Sequence, residues 1–433
     1  MSTEWFTQAR FGMFVHWDHA SQQGLEVSWP LVGGVFALPK SQRVTADQYH
    51  SSAATFDPVD WDPVALARLA KRAGMGYVVL TTKHHSGFTM WPSKFTEHSI
   101  AATPYGRDTG RDIVRGFVDA VRAEGLRVGL YFSLSDWHNP DYPAWTEDYR
   151  PYRLGQSPPR PSPEAWERFV ATYHGQMEEL LTGYGTIDLL WFDGGWERSA
   201  QEWRSVELER RIRELQPDII INDRLPAATA DFTTPEQFVP PKPLDGPWET
   251  CLTMNDSWGW VPEDTHYKSQ RSLVHTLAEV AGKGGNLLLN VSPTGTGAIP
   301  PVQLERLDGI AGWMDAHQEA IVGTQPGLEP WQWYGPSTRR GNRVYLHLLA
   351  RPYDTVTVRG VQVRRVEGVS VLGSSTPLRY SARTGVIETL FPDPDGELRI
   401  HIPESEVDDN ATVLAIDLAD APVVAPPVQL PEG

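Results

Sequence analysis

The chain has 433 residues, of which 40% are hydrophobic and 21% charged, with a formal net charge of −17. That length exceeds one ordinary core, so two domains are expected. The acidic balance argues against a nucleic-acid or polyanion partner and leaves neutral solutes open. The one cysteine, Cys251, has no partner for an internal disulfide or a zinc cluster. The start, Met1-Ser2-Thr3-Glu4-Trp5, shows neither a basic region nor an apolar run, so a cytoplasmic protein is expected by default. No stretch reaches the roughly 18 apolar residues of a membrane helix. The sequence sets no oligomeric state.

Short apolar runs alternate with helical patterns. Strands are predicted at Phe11–Trp17, Gly76–Thr82, Arg127–Ser133, Thr186–Asp193, Ile219–Asp223 and Asn286–Val291. Between them, helical spacing covers Val64–Gly74, Asp112–Gly125, Trp166–Tyr184, Val206–Leu215, Ser272–Val280 and Val302–Ala320. Pro151–Pro163 reads as a loop. Continuous apolar strands separated by helices indicate a parallel sheet covered on both faces. Six such units favour a (β/α)8-like barrel.

Near residue 325 the texture changes. Val344–Leu348, Val356–Val358, Val369–Val371 and Val413–Ile416 are short alternating runs between Gly, Pro and Asp turns, which predicts an antiparallel β-sandwich. The expected division is a catalytic barrel over 1–328 and a sandwich over 329–433, the second packed against the first. The Pro- and Val-rich tail from Ala421 is expected to pack poorly.

Polar residues recur where the barrel strands end: His16, then His84 and His85, Tyr131 and Ser133, Asp193, the run Asn222-Asp223-Arg224, and Asn290. One such residue is ordinarily a helix cap; six sites on successive strands point to a functional face. Seventeen tryptophans supply a large aromatic core or stacking faces for sugar rings. Adjacent histidines on an extended chain point to opposite faces, so His84-His85 makes a poor metal site. No metal and no cofactor is expected. Asp193 lies in Trp191-Phe192-Asp193-Gly194-Gly195-Trp196. It is either a turn residue before glycines or a carboxylate in an aromatic cleft, as a sugar-attacking nucleophile requires.

Eight blocks in order resemble glycoside hydrolase family 29, the α-L-fucosidases. They are Trp5-Phe6 with Ala9-Arg10-Phe11-Gly12-Met13-Phe14-Val15-His16-Trp17, the run from Tyr77 to Phe88, Trp191-Phe192-Asp193-Gly194, and Ile221-Asn222-Asp223-Arg224. Thr234-Pro235-Glu236, Trp248-Glu249-Thr250-Cys251, Ser257-Trp258-Gly259 and Gly284–Asn290 complete the set. The resemblance implies a retaining enzyme that hydrolyses terminal α-L-fucosyl groups of oligosaccharides or glycoconjugates. It implies Asp193 as nucleophile. It implies Glu236, 12 residues after Arg224 and 43 after Asp193, as acid/base, with Glu249 as the second choice. Burial of that acid among Trp191, Trp196 and Trp258, close to Asp193, is expected. His16, His84 and His85 would contact sugar hydroxyls, and Tyr131 or its neighbour Phe132 would join Trp191 in the pocket. Arg224 would anchor its base, and Phe14 and Trp258 would wall the C6 methyl group. In one departure, the family's Glu-Trp pair is replaced by Ser28-Trp29-Pro30 with Glu26 upstream. Trp29 keeps a stacking role, while a glutamate contact to the sugar is in question. The competing readings are an α-L-galactosidase-like exo-glycosidase and a catalytically silent sugar-binding protein.

Overall fold

The structure, a computed structural model, describes residues 3–32, 44–143, 150–152, 159–374 and 376–420. The tail from Ala421 and positions 153–158 of the Pro-rich loop lie outside the described residues. Among the described residues, no helix is long and apolar enough to cross a membrane.

Seven parallel strands form the first sheet: β1 (Phe11–Val15), β2 (Tyr77–Lys83), β3 (Arg127–Ser133), β4 (Leu189–Asp193), β5 (Ile220–Ile221), β6 (Glu249–Leu252) and β7 (Asn286–Val291). Their order is β5-β4-β3-β2-β1-β7-β6. The helices Pro63–Arg72, Ile113–Ala123, Pro163–Gly183, Ser205–Leu215, Gln270–Gly282 and Pro301–His317 stand where 3.6-residue spacing predicts them. Aspartate or serine caps open several of them: Asp62, Asp112, Ser162 and Ser269 each accept an amide of the first turn.

The gap between β5 and β6 is filled by residues 232–236. Parallel bridges join Asn222 to Phe232, Thr233 to Trp248 and Glu236 to Cys251. This segment holds the eighth position of the barrel. Pro235 has no N–H, so the ladder stays irregular there. Gln237 follows at φ 60 and turns the chain away directly after Glu236.

Alternation sorts the strand residues. Phe14, Tyr77, Tyr131, Leu189 and Trp191 fill the barrel interior. Leu190, Phe192 and Phe132 face the helices. Gly12 makes room inside: a Cβ there would lie 2.5 Å from Tyr77 Cζ.

The antiparallel part begins with β8 (Gln325–Pro326), β9 (Ser337–Arg340) and β10 (Arg343–Leu348). It continues through β11 (Thr355–Gln362), β12 (Val366–Val371), β13 (Tyr380–Arg383), β14 (Asp395–His401) and β15 (Thr412–Leu418). One sheet runs β12-β15-β10-β9-β8 and the other β11-β14-β13. Val344, Leu346, Val358, Leu398, Leu414 and Ile416 share the core between them. The opposite face of the larger sheet, with Tyr345, Val413 and Ala415, joins the core of the barrel. Trp313 Nε1 donates to Ala411 O at 2.9 Å and ties the barrel's last helix to this part of the chain.

Candidate active site

The C-terminal ends of the barrel strands form a small pocket lined by Phe14, His16, Trp29, His84, Tyr131, Trp191, Asp193, Arg224, Glu236, Cys251 and Trp258. It opens into a wider cleft bounded by Trp196, Gln237, Asn255 and Lys268. A larger cleft at the other end of the barrel is lined by Trp5, Arg127 and Asp188. There Asp188 is committed to Arg127 at 2.7 Å and to the Val128 amide, a structural arrangement.

Register sets the depth of each group. Ser133 pairs with Asp193 at the top of β3 and β4, and Tyr131 pairs with Trp191 one inward-facing layer below. Tyr131 reaches up and donates to Asp193 Oδ2 at 2.9 Å. Arg224 Nη1 donates to Asp193 Oδ1 at 3.0 Å. Both carboxylate oxygens are thus held, and the side chain remains 10% exposed toward the pocket. Gly194, at φ 72, turns the chain sharply behind it.

Arg224 stacks on the Trp191 ring at 4.5 Å. Its Nη2 donates to Glu236 Oε2 at 2.7 Å. One guanidinium therefore bridges two carboxylates across the pocket, a use of its planar fork that a lysine would not allow. The expected burial of Glu236 among Trp191, Trp196 and Trp258 is not found. Its side chain is 38% exposed, and Trp196 is itself exposed. The cause is the irregular segment 232–236, which carries Glu236 to the rim instead of into the core.

Glu249 occupies a different place. It is fully buried in the barrel, below Trp191. It accepts from Trp191 Nε1 at 3.0 Å and from the Tyr77 hydroxyl. Burial pushes its carboxyl up to about 7. Trp191 stands between it and the pocket.

The three histidines have fixed partners. His16 Nδ1 pairs with Asn290 Oδ1 at 2.7 Å and so carries the proton, leaving Nε2 as acceptor. His84 Nδ1 pairs with Ser28 Oγ at 2.6 Å. Ser28 Oγ already accepts the Ser86 amide at 2.8 Å, so its hydroxyl is available to donate to His84. His85 Nδ1 meets Ser133 Oγ at 2.6 Å, and that hydroxyl donates to Ser135 O at 2.8 Å. His85 must therefore donate from Nδ1. Its bare Nε2 lies buried 3.6 Å from Asp193 Oδ2. Burial lowers His16 to about 4 and His85 to about 3, so both rings are neutral near pH 7.

Tyr131 lines the pocket, whereas Phe132 faces outward beneath Lys83 Nζ at 4.2 Å. Trp29 packs edge-on against His85 with ring centres 5.5 Å apart. Phe14 and Trp258 meet at 6.1 Å and form an apolar wall. Glu26 is buried and does not line the pocket. It accepts the Trp258 amide at 2.5 Å and the Gly259 amide at 2.9 Å, fixing the loop that carries Trp258. Asn222 and Asp223 are structural. Asn222 bonds both backbone groups of Phe192 and extends the β4–β5 ladder. Asp223 accepts from Thr234 at 2.6 Å. Sequence reasoning missed the support given by Ser28, Ser133 and Glu26; only the polar character of each, next to a predicted strand end or loop tryptophan, pointed to it.

The pocket histidines each spend Nδ1 on a protein partner. Among the described residues, His19, His50 and His98 do bring donor atoms within 4.8 Å of one another, outside the pocket.

A family model described as alpha-L-fucosidase matches residues 1–319. The chain is similar to tissue alpha-L-fucosidase of Homo sapiens, at 29% identity over 92% of this chain and 85% of that one. It is similar to the solved structure of alpha-L-fucosidase isoenzyme 1 from Paenibacillus thiaminolyticus, with TM-score 0.83 and 35% identity, covering 96% of this chain and 99% of that one. A similar structure, with TM-score 0.80 and 27% identity over 96% of this chain and 95% of the other, is the GH29 alpha-L-fucosidase of Bacteroides thetaiotaomicron trapped as a covalent intermediate.

Proposed function

Because the chain belongs to the α-L-fucosidase family, glycoside hydrolase family 29, we propose that it hydrolyses terminal α-L-fucosyl groups by double displacement, with Asp193 as nucleophile and Glu236 as acid/base. The observation that carries this reading is the single guanidinium of Arg224 holding both carboxylates at the mouth of one pocket. Retaining enzymes need their two carboxyl groups about 5–5.5 Å apart.

In the first step an Asp193 oxygen forms a bond to the anomeric carbon while Glu236 gives its proton to the departing glycosidic oxygen. In the second, Glu236 takes a proton from water, which attacks the same carbon and releases Asp193. Tyr131 and Arg224 hold the nucleophile in place throughout. His16 offers an acceptor nitrogen, and His84 a donor, to sugar hydroxyls. The bare Nε2 of His85 beside Asp193 requires a donor, which a hydroxyl next to the anomeric carbon supplies. Phe14 and Trp258 receive the C6 methyl group. Burying one methyl contributes about 0.8 kcal/mol, so rejection of galactose rests on excluding its extra hydroxyl.

The wider cleft past Trp196 takes the leaving group. A division at residues 328/329 belongs to the same reading. It is supported by the separate core between the two antiparallel sheets; β8 (Gln325–Pro326), the first strand of the larger sheet, lies just ahead of that point.

Hydrolysis of an aryl α-L-fucoside and an aryl α-L-galactoside by the wild type and by Asp193→Ala tests the function. Fucoside turnover that Asp193→Ala abolishes supports it. Preference for the galactoside favours the α-L-galactosidase reading, and no turnover of either favours a silent sugar-binding protein.

A further inference from the structure

Beside the pocket, three connections of the barrel face contribute four histidines, two of them from the connection between β1 and β2. His19 lies in the turn after β1, His50 near the end of the helix Ala46–Ser51, His98 in the long connection after β2, and His138 in the loop after β3. The donor nitrogens of His19, His50 and His98 lie within 4.8 Å of one another. His50 Nδ1 and His98 Nε2 are 3.3 Å apart. That separation matches the edge of a tetrahedron whose centre lies about 2.0–2.1 Å from each nitrogen, the zinc–imidazole distance.

His19 supplies the second, independent observation. Its Nδ1 meets Ser52 Oγ at 2.7 Å, and Ser52 Oγ donates to Tyr49 O at 3.1 Å. The hydroxyl proton is thereby used, so His19 donates from Nδ1 and its Nε2 carries a bare lone pair. That nitrogen is fully buried and has no partner. An acceptor stranded in this way is costly unless something positive meets it. A hydrogen bond to the far ring nitrogen is the usual means by which proteins orient a metal-bound imidazole. The exposed ring of His138 stacks on His98 with centres 4.0 Å apart and lies 4.7 Å from His50, at the open side of the group.

We propose that His19, His50 and His98 form a site for a divalent first-row transition cation such as Zn²⁺, with water in the fourth position. All-imidazole donors suit zinc, copper or nickel and not calcium or magnesium. The ion would tie two distant segments of the β1–β2 connection to the β2–β3 connection beside the pocket. The loops reach the pocket wall: Asp18 accepts from Ser86, whose amide donates to Ser28, the partner of His84. Trp137, next to His138, packs on His85. No group of the cluster lines the pocket, so the ion braces the rim and takes no part in the chemistry.

The test uses the full chain dialysed against a chelator, with Zn²⁺ titrated by calorimetry and Co²⁺ as a spectroscopic probe. Wild type should take up one ion, gain a few degrees in melting temperature, and give the intense visible bands of four-coordinate cobalt. His50→Gln and His98→Gln should each weaken binding by about 10–100-fold, and the double variant should bind none. Both variants, and chelated wild type, should hydrolyse an aryl fucoside at the normal rate. No uptake by the wild type, or undiminished uptake by the double variant, overturns the proposal. Should the double variant fail to fold, the wild-type cobalt spectrum decides: weak, octahedral bands overturn it as well.

Discussion

Arg224 donates to Glu236 Oε2 at 2.7 Å through Nη2 while its other terminal nitrogen holds Asp193. The Arg224 side chain is only 17% exposed and lies on Trp191, so it is poorly screened by solvent. Replacing it by alanine leaves two carboxylates facing each other across the pocket. Arg224→Ala should lose about 100-fold or more in kcat/KM. Arg224→Lys should recover only part of that, because a single ammonium cannot present two parallel donors. Full recovery by lysine would show that charge alone matters.

Glu236 can be tested through the leaving group. Protonation matters for a sugar alkoxide and little for a dinitrophenolate, which departs unaided. Glu236→Ala should therefore lose most activity on a fucosyl disaccharide and much less on an activated aryl fucoside in the fucosylation step. If Glu249→Gln shows this signature and Glu236→Ala does not, the assignment of the acid/base is wrong.

Glu249 instead predicts a stability effect. Burial pushes its carboxyl up to about 7 in the folded chain, from an ordinary value of 4.5. The folded state therefore binds this proton more tightly than the unfolded state does. Stability from this group is fully present below pH 4.5 and is lost as pH rises through 7. The shift corresponds to about 3 kcal/mol. Glu249→Gln should remove that decline in denaturant titrations across this pH range while leaving turnover within about tenfold of wild type. An unchanged pH slope would contradict it. The amide can still accept from Trp191 and donate to the Tyr77 oxygen.

Glu26 predicts an effect on binding. Its carboxylate holds the two amides at Trp258 and Gly259. Charge-assisted bonds of this kind contribute about 1.5–3 kcal/mol. Glu26→Ala should raise KM for an aryl fucoside by about tenfold or more and change kcat less, because the Trp258 wall loses its support. An unaltered KM would refute this role.

Much of this was legible in the chain. The apolar runs of β3 and β7 coincide with the observed strands, because every residue of β7, and all but Arg127 of β3, is buried. The strand β6 was not read, since Glu249-Thr250-Cys251-Leu252 mixes polar and apolar residues; Glu249 is polar and yet interior because Tyr77 and Trp191 satisfy it. The eighth barrel position at 232–236 was hidden by Pro235. The resemblance to family 29 led to Asp193, His16, His84 and Arg224, which the fold places around one pocket. It gave no hint that Glu26 serves Trp258. The group of His19, His50 and His98 was invisible because its members are far apart in the chain and follow no metal-binding spacing.

The central claim is that Asp193 forms the covalent bond to fucose. Asp193→Gly, checked for normal folding, should lose about three or more orders of magnitude in turnover of an aryl α-L-fucoside, since no other pocket group can form the intermediate. Azide should then restore turnover by entering the space left by the carboxylate. The product identified by NMR should be β-L-fucosyl azide, inverted at the anomeric carbon. Near-normal activity without azide, or an azide product of α configuration, would contradict the account.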